Sequence, residues 1–135
     1  QICEKANDWR QAIKISVQTL EQGGYVKSCY KDGIIENVEK LGPYIMIADE
    51  IAMPHARPEQ GAIETQIGIT LFREGVRFDG KETTARLFVT LAAKDSDSHV
   101  DALVKISELL SDDETVEAIL EASDVQKLYH YFECV

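Results

Sequence analysis

Three histidines stand in this chain of 135 residues, and their surroundings differ sharply. His55 lies in Ile51-Ala52-Met53-Pro54-His55-Ala56-Arg57-Pro58-Glu59, between two prolines. Each proline fixes its own φ and discourages helix in the residue before it, so the imidazole is held on extended backbone at a strand end or loop. Arg57 follows two residues on. In an extended segment that spacing puts both side chains on one side of the chain, where a guanidinium can grip phosphate oxygens through two parallel hydrogen bonds. His99 follows the polar loop Lys94-Asp95-Ser96-Asp97-Ser98 and falls in the first turn of the next helix. Free N–H groups at a helix start favour an anion nearby, and His99 can donate to a phosphate oxygen there. On spacing alone, an ordinary surface turn at 55–57 and a solvated helix-start histidine at 99 both stay open. His130, in Tyr129-His130-Tyr131-Phe132, reads as a structural histidine near a helix end.

His55 and His99 each follow a strand candidate, and ligand sites in open α/β sheets form at such ends, so the two can converge if the strands are neighbours. A metal site would want a third ligand at recognisable spacing, and HxH, HxxE and CxxC pairs are absent; Asp97 is the third ligand a metal reading would have to use. There is no GxSxG for a nucleophile elbow, and no GxxxxGK[ST] or GxGxxG for a nucleotide. A nucleophilic histidine that accepts a group and passes it on needs only a rigid imidazole, oxyanion donors and a docking face. This sequence supplies that minimum, with no cofactor.

The elements that must position these residues are legible from periodicity. Asn7 or Asp8 caps a helix with Trp9, Ile13, Val17 and Leu20 at helical spacing, stopped by Gly23-Gly24. Tyr30, Ile34, Val38 and Leu41 mark a second helix after Ser28, ended by Gly42-Pro43. The continuous apolar run Tyr44 to Ala48 is expected to be a central strand, covered on both faces. Further strands are expected at 66–72 and 86–93, with turns at Glu74-Gly75 and Asp79-Gly80 bracketing a short hairpin around Val76 to Phe78. The last third is helical: Ser98 caps a helix bearing Ala102, Leu103, Ile106 and Leu110, and Ser111 with Glu114 and Ser123 with Gln126 read as capping boxes. The whole chain, 1–135, reads as one α/β domain with helices on both faces of a mixed sheet.

Composition bounds the partners. At 44% hydrophobic the chain can bury a core without cross-links. Fourteen Lys+Arg against 24 Asp+Glu give a formal charge of −10, which argues against sequence-independent binding to nucleic acid or an anionic membrane. Any phosphate must therefore be met by a few local cations. No run is apolar and long enough to cross a bilayer and no signal peptide opens the chain, so a cytoplasmic protein is expected. A short segment is expected to precede Gln1. Cys3, Cys29 and Cys134, odd in number and widely spaced, are expected to be structural or incidental thiols.

Taken together, these residues resemble a known family. The stretch Tyr44 through Ala48-Asp49-Glu50-Ile51-Ala52-Met53-Pro54-His55, then Gly68-Ile69, Gly75-Val76-Arg77-Phe78, Leu91-Ala92-Ala93, His99 and Leu109-Leu110-Ser111-Asp112-Asp113-Glu114, is similar to the EIIA component of the mannitol/fructose class of the bacterial sugar phosphotransferase system. The similarity runs from the Asn7-Asp8-Trp9 helix start to the last helix, and the form of Met53 to Glu59 resembles the ascorbate branch more than the mannitol branch. The resemblance implies a mixed sheet flanked by helices and a phosphohistidine relay: HPr donates to a histidine, which passes the group to a cysteine of EIIB, serving a membrane EIIC indirectly. It makes His55 the acceptor and His99 the neighbour that stabilises the transferring group. Mannitol-type members carry an arginine well upstream, where this chain has Asn37-Val38-Glu39-Lys40, so either Arg57 or Lys40 supplies the cation, or His99 and backbone donors suffice. An apolar docking face including Ile51, Met53 and Val100 is expected, with the acidic surface attracting basic partners. A regulatory module of the same fold is the alternative, and a homodimer is left open.

Overall fold

The computed structural model describes residues 1–133. In chain order the elements are β1 (Ile2–Cys3), α1 (Trp9–Gln22), α2 (Cys29–Leu41), β2 (Met46–Ala48), β3 (Glu50–Ala52), a 3-10 turn (Pro58–Gln60), β4 (Gln66–Arg77), β5 (Thr84–Ala92), α3 (Ser96–Leu110), α4 (Asp113–Leu120) and α5 (Val125–Phe132). The strands form one mixed sheet in the order β1-β4-β5-β3-β2. β4 and β5 run antiparallel, while β3 lies parallel to β5. The second relation matters most for the site, because the chain leaves β3 and β5 at the same edge of the sheet.

The middle of β4, Ile67 to Phe72, and β5 from Leu87 to Ala92 are mostly apolar because helices cover both their faces. Alternation along each strand sends Phe72 and Phe88 into a core with Trp9, Ile13, Val17 and Leu20 of α1 and Tyr30, Ile34 and Val38 of α2. It sends Leu71, Leu87, Val89 and Leu91 to the opposite core, against Ala102 and Ile106 of α3, Ile119 of α4 and Leu128 and Phe132 of α5. Each such Leu or Phe removed from water contributes about 1.5–3 kcal/mol. The expected α/β architecture, helices on both faces of a mixed sheet, is what the chain adopts.

Three expectations need correction. The apolar run Tyr44 to Ala48 is not a central strand: only Met46–Ala48 pairs, at the sheet edge, and Ile47 is 46% exposed. Ile45 is fully buried as part of the connection before the strand, which is why the run reads as apolar. The strand that leads to His55 is the short β3, reached from β2 through Asp49 and Glu50. Glu50 takes φ 69°, a region glycine usually fills, and its carboxylate accepts from the Thr84 hydroxyl at 3.0 Å. Second, no separate hairpin forms around Val76. β4 continues to Arg77 past an irregularity between Leu71 and Val76. Gly75 is there because a Cβ would sit 2.4 Å from Thr84 Oγ1, a close approach of strands that a sequence reading takes for a turn. The expected turn at Asp79-Gly80 does form, with Gly80 at φ 79°.

The third correction concerns helix starts. Asp95, Asp112 and Asp124, not Ser98, Ser111 and Ser123, are the N-caps of α3, α4 and α5, each accepting from the backbone N–H three residues on. A carboxylate also complements the positive end of the helix dipole, so it outcompetes a neighbouring serine. Asp8 caps α1 as expected, accepting from Gln11 N at 2.8 Å. Cys3 and Cys29 carry free thiols, and Cys134 lies outside the described residues. No helix among the described residues is long and apolar enough to cross a membrane.

Candidate functional site

The loop after β3 is sewn to its surroundings on every side. Met53 N–H donates to Ile45 O at 2.7 Å, and Leu91 N–H of β5 donates to Pro54 O at 2.9 Å. Ala56 N–H donates to the hydroxyl of Tyr30 at 3.1 Å, and that hydroxyl donates in turn to Leu91 O at 2.8 Å. Arg57 N–H donates to Gln60 Oε1 at 2.9 Å, an oxygen that also accepts from Asn37 Nδ2 at 2.9 Å. The carbonyl of His55 accepts from the Tyr44 hydroxyl. With Pro54 and Pro58 restricting φ, the segment has little freedom left.

His55 Nδ1 lies 2.7 Å from Met53 O. A carbonyl can only accept, so Nδ1 carries the proton and Nε2 keeps its lone pair. Burial lowers the His55 pKa from the ordinary histidine value; the hydrogen bond to Met53 opposes this, and the charge of His99 lowers it further. The imidazole is thus held neutral and nucleophilic, in a single tautomer.

His99 arrives from the parallel neighbour. It sits one turn into α3, its N–H donating to Asp95 O at 3.1 Å, and its ring centroid is 5.5 Å from that of His55. The convergence expected of the two strand ends is realised. Both rings line a cleft of about 380 Å³, together with Asn37, Leu41, Tyr44, Ala56, Arg57, Pro58, Ser96 and Val100. Arg57 shares the cleft with His55, as the extended spacing requires, and its Nε pairs with Glu59 Oε1 at 3.0 Å while the side chain stays 65% exposed. Lys40, the other expected cation, pairs with Glu36 at 2.7 Å and does not line the cleft.

The docking face differs from expectation. Ile51 and Met53 are buried in the core, because β3 is an inner strand and Met53 continues its inward side. Val100 is exposed, joined by Leu41 on the other wall of the cleft and by Val104 one turn further along α3. His130 stays remote from the cleft, its Nδ1 3.4 Å from Glu133 Oε2 at the end of α5. Among the described residues no group of three or more His, Cys, Asp or Glu is placed to hold a metal ion, so a site on His55, His99 and Asp97 has no ligand set.

Sequence reasoning missed Tyr30, Asn37 and Tyr44, which grip residues 55–60 from α2 and its exit. Their signal was partial: Tyr30 and Asn37 lie seven residues apart on α2 and the polar tip of the buried Tyr30 must find a partner, whereas Tyr44 lies beyond the end of α2 and carries no such mark.

Comparisons with known proteins place the chain in a family. The family model described as phosphoenolpyruvate-dependent sugar phosphotransferase system, EIIA 2, matches residues 1–134. The chain is 39% identical over 127 residues to the mannitol-specific cryptic phosphotransferase enzyme IIA component of Escherichia coli strain K12, covering 94% of this chain and 86% of that protein. It is 32% identical over 127 residues to the ascorbate-specific PTS system EIIA component of Mycoplasma pneumoniae, covering 93% of this chain and 80% of that protein. The solution structure of the mannitol-specific cryptic enzyme IIA CmtB from Escherichia coli matches with a TM-score of 0.93 at 36% identity, over 99% of this chain and 91% of that one. The enzyme IIAMTL complex with phosphorylated enzyme IIBMTL from Escherichia coli matches with a TM-score of 0.85 at 25% identity, over 99% and 94% of the two chains.

Proposed function

Because this chain belongs to the EIIA 2 family of the phosphoenolpyruvate-dependent sugar phosphotransferase system, we propose that it takes a phosphoryl group from HPr on His55 Nε2 and delivers it to a cysteine of an EIIB partner. The observation that carries this reading is the contact between His55 Nδ1 and Met53 O at 2.7 Å, which leaves Nε2 the free nitrogen. In the first half-reaction the Nε2 lone pair attacks phosphorus, an N–P bond forms, and the bond to the donor imidazole breaks with its electron pair returning to the donor. In the second, an EIIB thiolate attacks, the N–P bond breaks, and the pair returns to Nε2. Such transfers ask mainly for in-line placement and for charge stabilisation on the three equatorial oxygens. His99 and the Arg57 guanidinium line the cleft and can donate to those oxygens, as can the Ser96 hydroxyl, and the membrane EIIC is served downstream. The EIIB step is supported by the solved complex of a relative with its phosphorylated EIIB.

Labelling with phospho-HPr tests the assignment. His55→Ala is expected to abolish labelling, and His99→Ala to bind the donor but transfer slowly; label persisting in His55→Ala overturns the site. Two carbohydrates are supported by different observations: L-ascorbate by the form of Met53 to Glu59, mannitol by the 39% identity to a mannitol-specific relative. Chasing phosphate from the labelled protein onto purified EIIB of each type separates them, and no chase onto any EIIB would favour a regulatory role.

A further inference from the structure

Most contacts that hold the His55 loop act on its neighbours. Pro54 is tied to β5 and Ala56 to Tyr30, while the bond from His55 Nδ1 to Met53 O is local to the loop and does not fasten it to the rest of the fold. The peptide carbonyl of His55 itself is fastened by the hydroxyl of Tyr44. The ring of Tyr44 also meets the imidazole edge-on, with centroids 5.2 Å apart and an interplanar angle of 83°. His99 approaches the same ring at 5.5 Å and a different tilt.

We propose that Tyr44 is a positioning residue for His55, its hydroxyl fixing the His55 peptide so that Nδ1 points to Met53 and Nε2 points into the cleft. The rotation it removes can be named. Pro54 has a locked φ, so orientation of the imidazole is left to ψ of Pro54, to φ and ψ of His55 and to the side-chain torsions. Anchoring the His55 carbonyl fixes ψ of that residue, and the ring edge limits where the side chain can swing. Tyr44 is itself well seated: its N–H donates to Gly42 O at 2.7 Å, and the next residue, Ile45, accepts from Met53 N–H at 2.7 Å. Burial raises the Tyr44 phenol pKa, so the hydroxyl remains a donor at neutral pH. This role rests on the proposed relay for its consequence but not for its detection, because the tautomer of His55 can be read without any phosphate.

Tyr44→Phe keeps the ring and deletes the hydroxyl, and Tyr44→Leu deletes both. Imidazole nitrogen shifts in NMR spectra are expected to show the Nδ1–H form of His55 in the parent protein and a growing share of the Nε2–H form in Tyr44→Phe. Single-turnover transfer from phospho-HPr is expected to slow by about tenfold in Tyr44→Phe, with the KM for phospho-HPr unchanged, since positioning acts on the chemical step. Tyr44→Leu is expected to be slower still. An unchanged tautomer and rate in Tyr44→Phe overturns the proposal, and so does a defect in Tyr44→Leu that Tyr44→Phe fully rescues, which would leave the ring and not the hydroxyl as the device. Failure of the parent to accept label would refute the relay while leaving the tautomer measurement to decide the clamp.

Discussion

Tyr30→Phe should be the most informative single substitution in the scaffold, because its hydroxyl joins the reactive loop to the sheet. The side chain is fully buried. Its oxygen accepts from Ala56 N–H at 3.1 Å and donates to Leu91 O at 2.8 Å. Removing it strands a buried donor, at about 1–3 kcal/mol, and takes a neutral hydrogen bond from the Leu91 carbonyl, at about 1 kcal/mol. The lost atom is one oxygen, so no sizeable cavity adds to this. A total of about 2–4 kcal/mol is expected. In urea that is a midpoint lower by about 1–2 M, with the slope unchanged because the same surface is exposed on unfolding. The pH dependence supplies a second check. Burial, together with the nearby Tyr44, pushes the Tyr30 phenol from 10.0 up to about 12, against a hydrogen bond from Ala56 that pulls the other way. A group whose pKa is raised by folding contributes stability below its unfolded pKa and loses it as pH rises toward the folded value. The gap between parent and Tyr30→Phe should therefore be constant below pH 10 and shrink by about 2–3 kcal/mol on the way to pH 12. A loss under about 0.5 kcal/mol at pH 7 would show that the loop and Leu91 find other partners, and would refute the clamp as an energetic element.

Four further outcomes are expected. Because burial lowers the His55 pKa below 6.5, phosphoryl acceptance should hold its rate as pH falls past 6.5 and decline only at lower pH; in urea melts the parent should lose more stability than His55→Gln over the same acid range. Asp95→Ala removes the acceptor of Ser98 N–H at the start of α3, so amide exchange at residues 98–100 should speed up and transfer should slow, whereas Asp95→Asn should preserve both. Gly75→Ala places a Cβ 2.4 Å from Thr84 Oγ1 and should destabilise by about 1–3 kcal/mol, with part of the loss recovered in a Gly75→Ala, Thr84→Ser pair only if the methyl group is what blocks relaxation of the hydroxyl. Glu59→Gln frees the Arg57 guanidinium, and the equilibrium of phosphate between HPr and this protein should move toward this protein by a few-fold, as measured from the labelled fraction at steady donor ratio.

The two helical layers were legible in the sequence because amphipathic periodicity is a local signal: Trp9, Ile13, Val17 and Leu20 face the core they were expected to face. The convergence of His55 and His99 was legible as a condition, that the strands before them be neighbours; it is met by β3 and β5, although the strand read before His55 was the run Tyr44 to Ala48. What local patterns do not encode is pairing. Nothing in Tyr44 to Ala48 says that the segment lies at an edge, and the three-residue β3 is too short for alternation to mark it. The docking face failed for the same reason, since Ile51 and Met53 look available beside His55 until β3 is placed inside the sheet. Gly75 was misread because glycine marks both turns and close approaches, and only the facing Thr84 tells them apart.

The acidic surface and the proposed phosphate-handling cleft are reconciled by how little positive charge the cleft commits. Arg57 is engaged by Glu59, yet both side chains are mostly exposed, at 65% and 69%, and such a pair is worth about 0–1 kcal/mol. A phosphoryl group can displace Glu59 at that low cost. His55, by contrast, is held through its own nitrogen and carbonyl and through the peptides on either side. In the proposed relay, geometry is thus fixed where the N–P bond would form, and charge is left exchangeable where the oxygens would be gripped and released. A carrier that has to give up its phosphate as readily as it takes it gains from this division: tight electrostatic binding would stabilise the phosphorylated state itself, deepening a well from which transfer to the next partner must climb.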